Sequence, residues 1–234
     1  MIDTHCHLLH GLDDGAATLT DSVDLSRSFV DAGVDRILCT PHYSRRFPTD
    51  HREALARADE LRAACTAAGI LLGIAVAAEL TPEQALDASP EEVRARRIGE
   101  GYILVELTPS TPVISVATVF QRLDDLGLRP IYAHPERCRA VRRDPAVLEG
   151  PRRAGALVQV VAPSLLGRWG EEAQAVGWQL VERGTADIVA SDAHRLHQRP
   201  SLATAADQMA TRVGRTRTRD LTHNVPRALL RGEL

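Results

Sequence analysis

The feature that most constrains this chain is a recurring unit: a short apolar run of strand length, a histidine or acidic residue at its end, then a helical pattern. The first run opens the chain as MIDTHCHLLHGLDDGA, where strand alternation turns His5 and His7 to one face and Cys6 to the other. The run 35–40 (DRILCT) leads into Pro41 and His42, 71–78 ends at Glu79, and 102–105 ends at Glu106. The run 130–133 leads into His134, Pro135, Glu136 and Arg137, and 187–190 (DIVA) into Ser191, Asp192, Ala193 and His194. Only 156–162 (ALVQVVA) has no ligand-type tip beyond Gln159. Between the runs, helical spacing covers 18–32 with a stop at Gly33, 49–68 closed by Gly69, 90–98, 115–126 before Gly127, and 165–182. The tail 215–234 reads as a short closing helix.

Seven short strands alternating with helices imply right-handed βαβ crossovers and a parallel sheet, an α/β fold. An open doubly wound sheet gathers functional groups only at its switch point. Polar groups at six strand tips instead call for a closed (β/α)7 TIM-like barrel with its chemistry at the C-terminal pole. With 234 residues and 44% hydrophobic content, a single domain over 1–234 is expected, and no linker, repeat or low-complexity tract interrupts it.

The net charge of -3 gives no reason to expect nucleic acid or an anionic membrane as partner. All 28 basic residues are Arg, and clusters such as Arg94, Arg96, Arg97 and Arg215, Arg217, Arg219 read as solvated helix faces. Cys6, Cys39, Cys65 and Cys138 form no CxxC pair, which fits reduced thiols. Neither a signal-peptide pattern nor a membrane-length apolar segment is present, so a cytoplasmic protein without membrane insertion is expected.

The polar groups at the strand tips are His5, His7, Asp13 or Asp14, His42, Glu79, Glu106, His134, Asp192 and His194. A mixed nitrogen and oxygen set without thiolates suits two or three catalytic ions of the Mn, Fe or Zn type rather than a structural zinc. Three divalent ions against four carboxylates and one hydroxide leave about one net positive charge, which would attract a phosphate dianion. Arg137 and Arg199 follow the fifth and seventh strand tips, where each can reach phosphate oxygens in bidentate fashion. The implied chemistry is metal-assisted phosphoester hydrolysis, with a metal-activated hydroxide attacking phosphorus in line and no covalent nucleophile. An aryl phosphate suits a site with no dedicated general acid, because phenolate leaves without much protonation.

Cys39 and Arg45 also match C-x5-R, the spacing of cysteine-dependent phosphatases. The intervening TPHYS has no glycine and includes Pro41, which has no N–H to donate to phosphate. The expectation is therefore that Cys39 is not a nucleophile. His10 is expected at the rim of the site, and His51, His197 and His223 on the surface.

These motifs together resemble the PHP (polymerase and histidinol phosphatase) family, and more narrowly the manganese-dependent tyrosine phosphatases of bacterial capsule and exopolysaccharide operons. The resemblance is carried nearly end to end by MIDTHCHLLHGLDDGA, TPH at 40–42, Glu79, Glu106, HPER at 134–137, SDAH at 191–194 and RP at 199–200. It implies a distorted seven-stranded barrel with three divalent ions, Mn foremost and Fe or Zn as alternatives. By position, the first ion takes His5, His7, Glu79 and Asp192. The second takes Glu79, Glu106 and His134, and the third Asp14, His42 and His194. Arg137 and Arg199 handle phosphate, and the implied substrate is the tyrosine-rich tail of a polysaccharide-assembly tyrosine kinase. Two other functions remain open: a phosphatase of a small metabolite of the histidinol phosphate type, and a metal-bound scaffold without activity. One departure is Cys138 after HPER, where an aromatic is common in the family.

Overall fold

A computed structural model describes residues 1–195 and 201–234. Among the described residues the strands are β1 (Ile2–Cys6), β2 (Arg36–Cys39), β3 (His42–Tyr43), β4 (Gly73–Val76), β5 (Glu79–Leu80), β6 (Tyr102–Glu106), β7 (Arg129–Ala133), β8 (Leu157–Val161) and β9 (Ile188–Ala190). All the named pairings are parallel, in a three-stranded sheet β1-β2-β4 and a six-stranded sheet β3-β5-β6-β7-β8-β9. The ring closes where Asp192 N–H donates to His5 O at 2.9 Å and His7 N–H donates to Ala193 O at 2.8 Å. The seven expected staves are therefore present, as a distorted barrel.

Two staves are broken where one unbroken strand was expected. The run 35–40 with His42 becomes β2 and β3, and 71–78 with Glu79 becomes β4 and β5. Thr40 N–H still reaches Cys6 O on β1, but Pro41 has no N–H for the ladder. His42 N–H then finds the Asp13 carboxylate at 2.9 Å in place of a further β1 carbonyl. Beyond the bend β3 pairs with β5, with His42 and Glu79 as register partners. The bend thus places two polar side chains side by side at the pole of the barrel.

The helices form where apolar residues recur at helical spacing. Leu19–Asp31 starts at a capping box between Thr18 and Asp21 and buries Leu25 and Phe29. His51–Ala67, capped by Asp50, turns Ala54, Ala58, Leu61 and Cys65 inward. The expected helix over 90–98 is shorter, Pro90–Ala95, because Ile98 leaves it to bridge Tyr102. An additional short helix, Pro82–Asp87, precedes it. The expected helix over 165–182 is interrupted: Ala162–Leu165 ends before Gly167 and Gly170, both at positive φ, and Glu171–Glu182 starts after them. At the tail, Leu202–Arg212 and Gly214–Arg219 are followed by a wide π turn and Val225–Arg231. No helix among the described residues is long and apolar enough to cross a membrane.

Candidate metal centre

The expected donors come together at the C-terminal ends of the strands, and the reason each faces inward is local. His5 and His7 share a face of β1 and its extension, and both are fully buried. Gln159 on β8 holds the outer nitrogen of His5, with Nδ1 2.8 Å from Gln159 Oε1, while its own amide donates to Thr4 Oγ1 at 3.0 Å. Asp13 holds His7 in the same way, 2.7 Å from Nδ1, and is itself fixed by N–H groups of Gly15 and His42. The His194 Nδ1 lies 3.0 Å from the Asp192 carbonyl. An oxygen acceptor beside Nδ1 selects the tautomer with its proton there, so all three imidazoles turn an Nε2 lone pair into the site.

With the imidazoles neutral, those lone pairs converge on one another and on carboxylate oxygens. His5 Nε2 and His7 Nε2 lie 3.3 Å apart. Glu79 Oε2 is 3.3 Å and 3.6 Å from them, and Asp192 Oδ1 is 3.4 Å and 3.6 Å from them. Glu79 Oε2 also lies 3.0 Å from His42 Nδ1, yet it makes no well-directed hydrogen bond and is buried. Asp14 Oδ1 is likewise buried without a hydrogen bond, 3.6 Å from His42 Nε2 and 3.5 Å from His194 Nε2. Converging acceptors of this kind repel one another unless a cation sits among them, and a divalent metal fits the donor chemistry. Among the described residues, three groups have ligand atoms within 4.8 Å of one another: His5, His7 and Asp192; His42, Glu79 and Glu106; and His7, Asp14, His42 and His194. His42 thus stands with Glu79 and Glu106 as well as with Asp14 and His194, while His134 approaches by Nε2, 3.0 Å from Glu79 Oε1.

The electrostatics of the site follow from crowding. Burial alone would raise the Glu79 carboxyl, but His5, His134 and His42 outweigh it and hold it well below the usual carboxylate range. For His7 burial works toward the neutral form, and Asp13 reverses this and lifts it well above the ordinary value. His194 goes the other way, to about 4, through burial and then the neighbouring His7. Burial first and Glu79 second push the Glu106 carboxyl up. The backbone is strained at the same pole: His134 (φ 36°) and Asp192 (φ 52°) are the two non-glycine residues of positive φ among the described residues.

Above these donors opens a cavity of about 680 Å³, of a size that takes more than a phosphate. Arg137 lines it, donating to Asp192 Oδ2 at 3.2 Å, with its guanidinium 4.2 Å from the centre of the Trp169 ring. Phe47 also lines it, near-parallel to His42 with centroids 5.7 Å apart. Arg199 and His197 lie outside the described residues. His10 sits off the site, 3.2 Å from Glu60. His51 and His223 are partly exposed and belong to no ligand group. Cys39 is fully buried in the apolar core with Cys6, whereas Arg45 is exposed and 3.7 Å from Asp87, so the C-x5-R spacing builds no phosphate loop. Sequence reasoning passed over the supporting roles of Asp13 and Gln159, and over Trp169 and Phe47 at the mouth. The usable signal for Trp169 was its place between Gly167 and Gly170, beyond the one strand without a ligand.

Comparison with known proteins agrees with this geometry. The tyrosine-protein phosphatase YwqE of Bacillus subtilis is 32% identical over 85% of this chain and 79% of its own. The tyrosine-protein phosphatase CpsB of Streptococcus pneumoniae is 26% identical over 100% of both. A crystal structure from work on these two proteins, described as unique metal-dependent tyrosine phosphatases, superposes with TM-score 0.87 at 28% identity, covering 100% of this chain and 96% of that one. A lactonase, Lmo2620 of Listeria monocytogenes, shares the fold alone, with TM-score 0.55 at 11% identity over 98% of this chain and 94% of its own. A model of the family described as capsular polysaccharide synthesis, CpsB/CapC, matches residues 1–231, and the chain belongs to that family.

Proposed function

We infer that this chain is a metal-dependent protein-tyrosine phosphatase of the PHP type, a single domain acting in the cytoplasm on the tyrosine-rich tail of a bacterial polysaccharide-assembly kinase. The observation that carries the reading is the convergence of His5, His7, Glu79 and Asp192 acceptors beneath a cavity walled by Arg137. The names of the relatives support the same chemistry. His5, His7, Asp14, His42, Glu79, Glu106, His134, Asp192 and His194 would hold three divalent ions, Mn foremost. Bound there, the ions would activate water and offset phosphate charge.

The chain's own residues do the rest. Arg137 offers a fork of donors to the phosphate, and its bond to Asp192 and stacking on Trp169 fix the fork before substrate arrives. Asp13 and Gln159 keep protons on the outer imidazole nitrogens. Arg199 is proposed as the second phosphate ligand. Burial of the floor excludes bulk water and strengthens each of these interactions.

The test is metal counting and turnover after chelation and reloading with Mn, Fe, Co or Zn, on a phosphotyrosine peptide and on histidinol phosphate. His42→Ala is expected to bind one ion fewer and to lose at least about a hundredfold in kcat, as removal of a metal-linked electrostatic group does. A higher kcat/KM for histidinol phosphate would move the assignment to a metabolite phosphatase. A fully loaded protein that hydrolysed neither, yet bound a kinase tail, would be a scaffold.

A further inference from the structure

Among the described residues that line the cavity, the exposed charged ones are all arginines. Arg46 follows β3, Arg168 lies in the loop between the glycines that interrupt the helix after β8, and Arg195 follows His194 beyond β9. All three line the mouth and all three are exposed, while the lining carboxylates Asp14, Glu79, Glu106 and Asp192 are buried or half-buried donors on the floor. This occurs in a chain where 31 acidic residues outnumber 28 basic ones. The arginines come from three separate loops, so no single helix face accounts for their meeting. Their stems are steered toward the opening: Arg46 lies 4.9 Å over the Phe47 ring, and Arg195 Nε donates to the Asp14 carbonyl at 3.4 Å.

On the phosphatase reading the scissile phosphate is taken by the floor, Arg137 and the proposed Arg199, which leaves this outer ring for something else. Resting on the phosphatase reading of the same site, we propose that Arg46, Arg168 and Arg195 bind an anionic group on the peptide beside the phosphotyrosine, either a carboxylate or a second phosphate. An extended peptide advances about 3.3–3.6 Å per residue, so side chains one to three positions from the phosphotyrosine span the mouth. Both anions match the planar arginine fork, and a ring of one sign also draws acidic segments toward the opening. The substrate class is therefore a phosphotyrosine within an acidic or multiply phosphorylated segment.

The experiment uses Mn-loaded protein and four phosphotyrosine peptides of equal length, flanked by Gln, by Glu, by Arg or by a second phosphotyrosine. The Glu peptide is expected to exceed the Gln peptide about tenfold in kcat/KM at low ionic strength, through KM rather than kcat, and the Arg peptide to fall below it. The advantage should shrink in high salt, because exposed pairs are screened. In Arg46→Gln/Arg168→Gln/Arg195→Gln the ratio of Glu to Gln peptide should collapse to within about twofold, and charge reversal to Glu should invert the order. The doubly phosphorylated peptide tells whether phosphate is preferred over carboxylate. Equal kcat/KM for Glu and Gln peptides in the wild type, or an undiminished preference in the triple variant, would overturn the proposal. Peptide binding by titration calorimetry separates the two readings: selective binding of acidic peptides without turnover of any peptide removes the phosphatase assignment and leaves the ring's role in place.

Discussion

At the scale of single residues, the orientation of the ligands depends on groups that do not face the site. His7 presents Nε2 inward only because Asp13 occupies its Nδ1 at 2.7 Å, and the same carboxylate takes His42 N–H at 2.9 Å. One side chain therefore orients two proposed ligands. Asp13→Asn keeps the shape and removes the charge, and is expected to weaken Mn affinity about 10- to 100-fold with little change in fold, read by metal titration and circular dichroism. The DDG run had left two carboxylates as possible ligands. Both are used, Asp14 turned to His42 and His194 and Asp13 to the back of His7. Adjacent residues on a turn differ in direction by backbone dihedrals that composition does not specify.

At the scale of elements, the acidic loop is held against β1 by close packing. Ala16 N–H donates to His7 O at 3.1 Å, and a Cβ on Gly15 would fall 2.2 Å from that oxygen and 2.9 Å from Asp13 Oδ1. Gly15→Ala must therefore push the loop off the strand and displace Asp13 from His7. Expected outcomes are a loss of about 1–3 kcal/mol in stability and a reduced metal stoichiometry. A denaturant curve and metal counting check both, and unchanged stoichiometry would mean that the loop tolerates the shift. The broken staves belong to this scale as well. The apolar runs were legible as strands, but the bends at Pro41 and at 77–78 were not. They depend on where a rung is lost and which side chain replaces it.

At the scale of the whole molecule, the proposed ligands come from β1 and its extension, the acidic loop, β3, β5, β6 and the segments after β7 and β9. Metal binding would thus tie the barrel around its circumference, including the closure at His5 and Asp192. Ions at about a hundred times their dissociation constant add about 2.7 kcal/mol per site to the folded state. For a chain of this size, Mn is expected to raise Tm by about 5–10 °C per site, reversed by a chelator. Calorimetry of stripped and reloaded protein measures this, and an unchanged Tm at confirmed metal occupancy would argue against a circumferential clamp.

What the sequence determined by itself is the repeated pattern: apolar runs capped by donors, helical spacing between them, and hence parallel staves with chemistry at one pole. That pattern is periodic, and periodicity survives without coordinates. Tertiary structure alone decided which donors meet. Glu79 stands among His5, His7, His42 and His134 because three other staves converge on it. Trp169 meets Arg137 because glycines interrupt a helix that spacing alone would have continued. These contacts span from 32 to 74 residues of chain, and local propensity contains no information about which distant loop will arrive opposite.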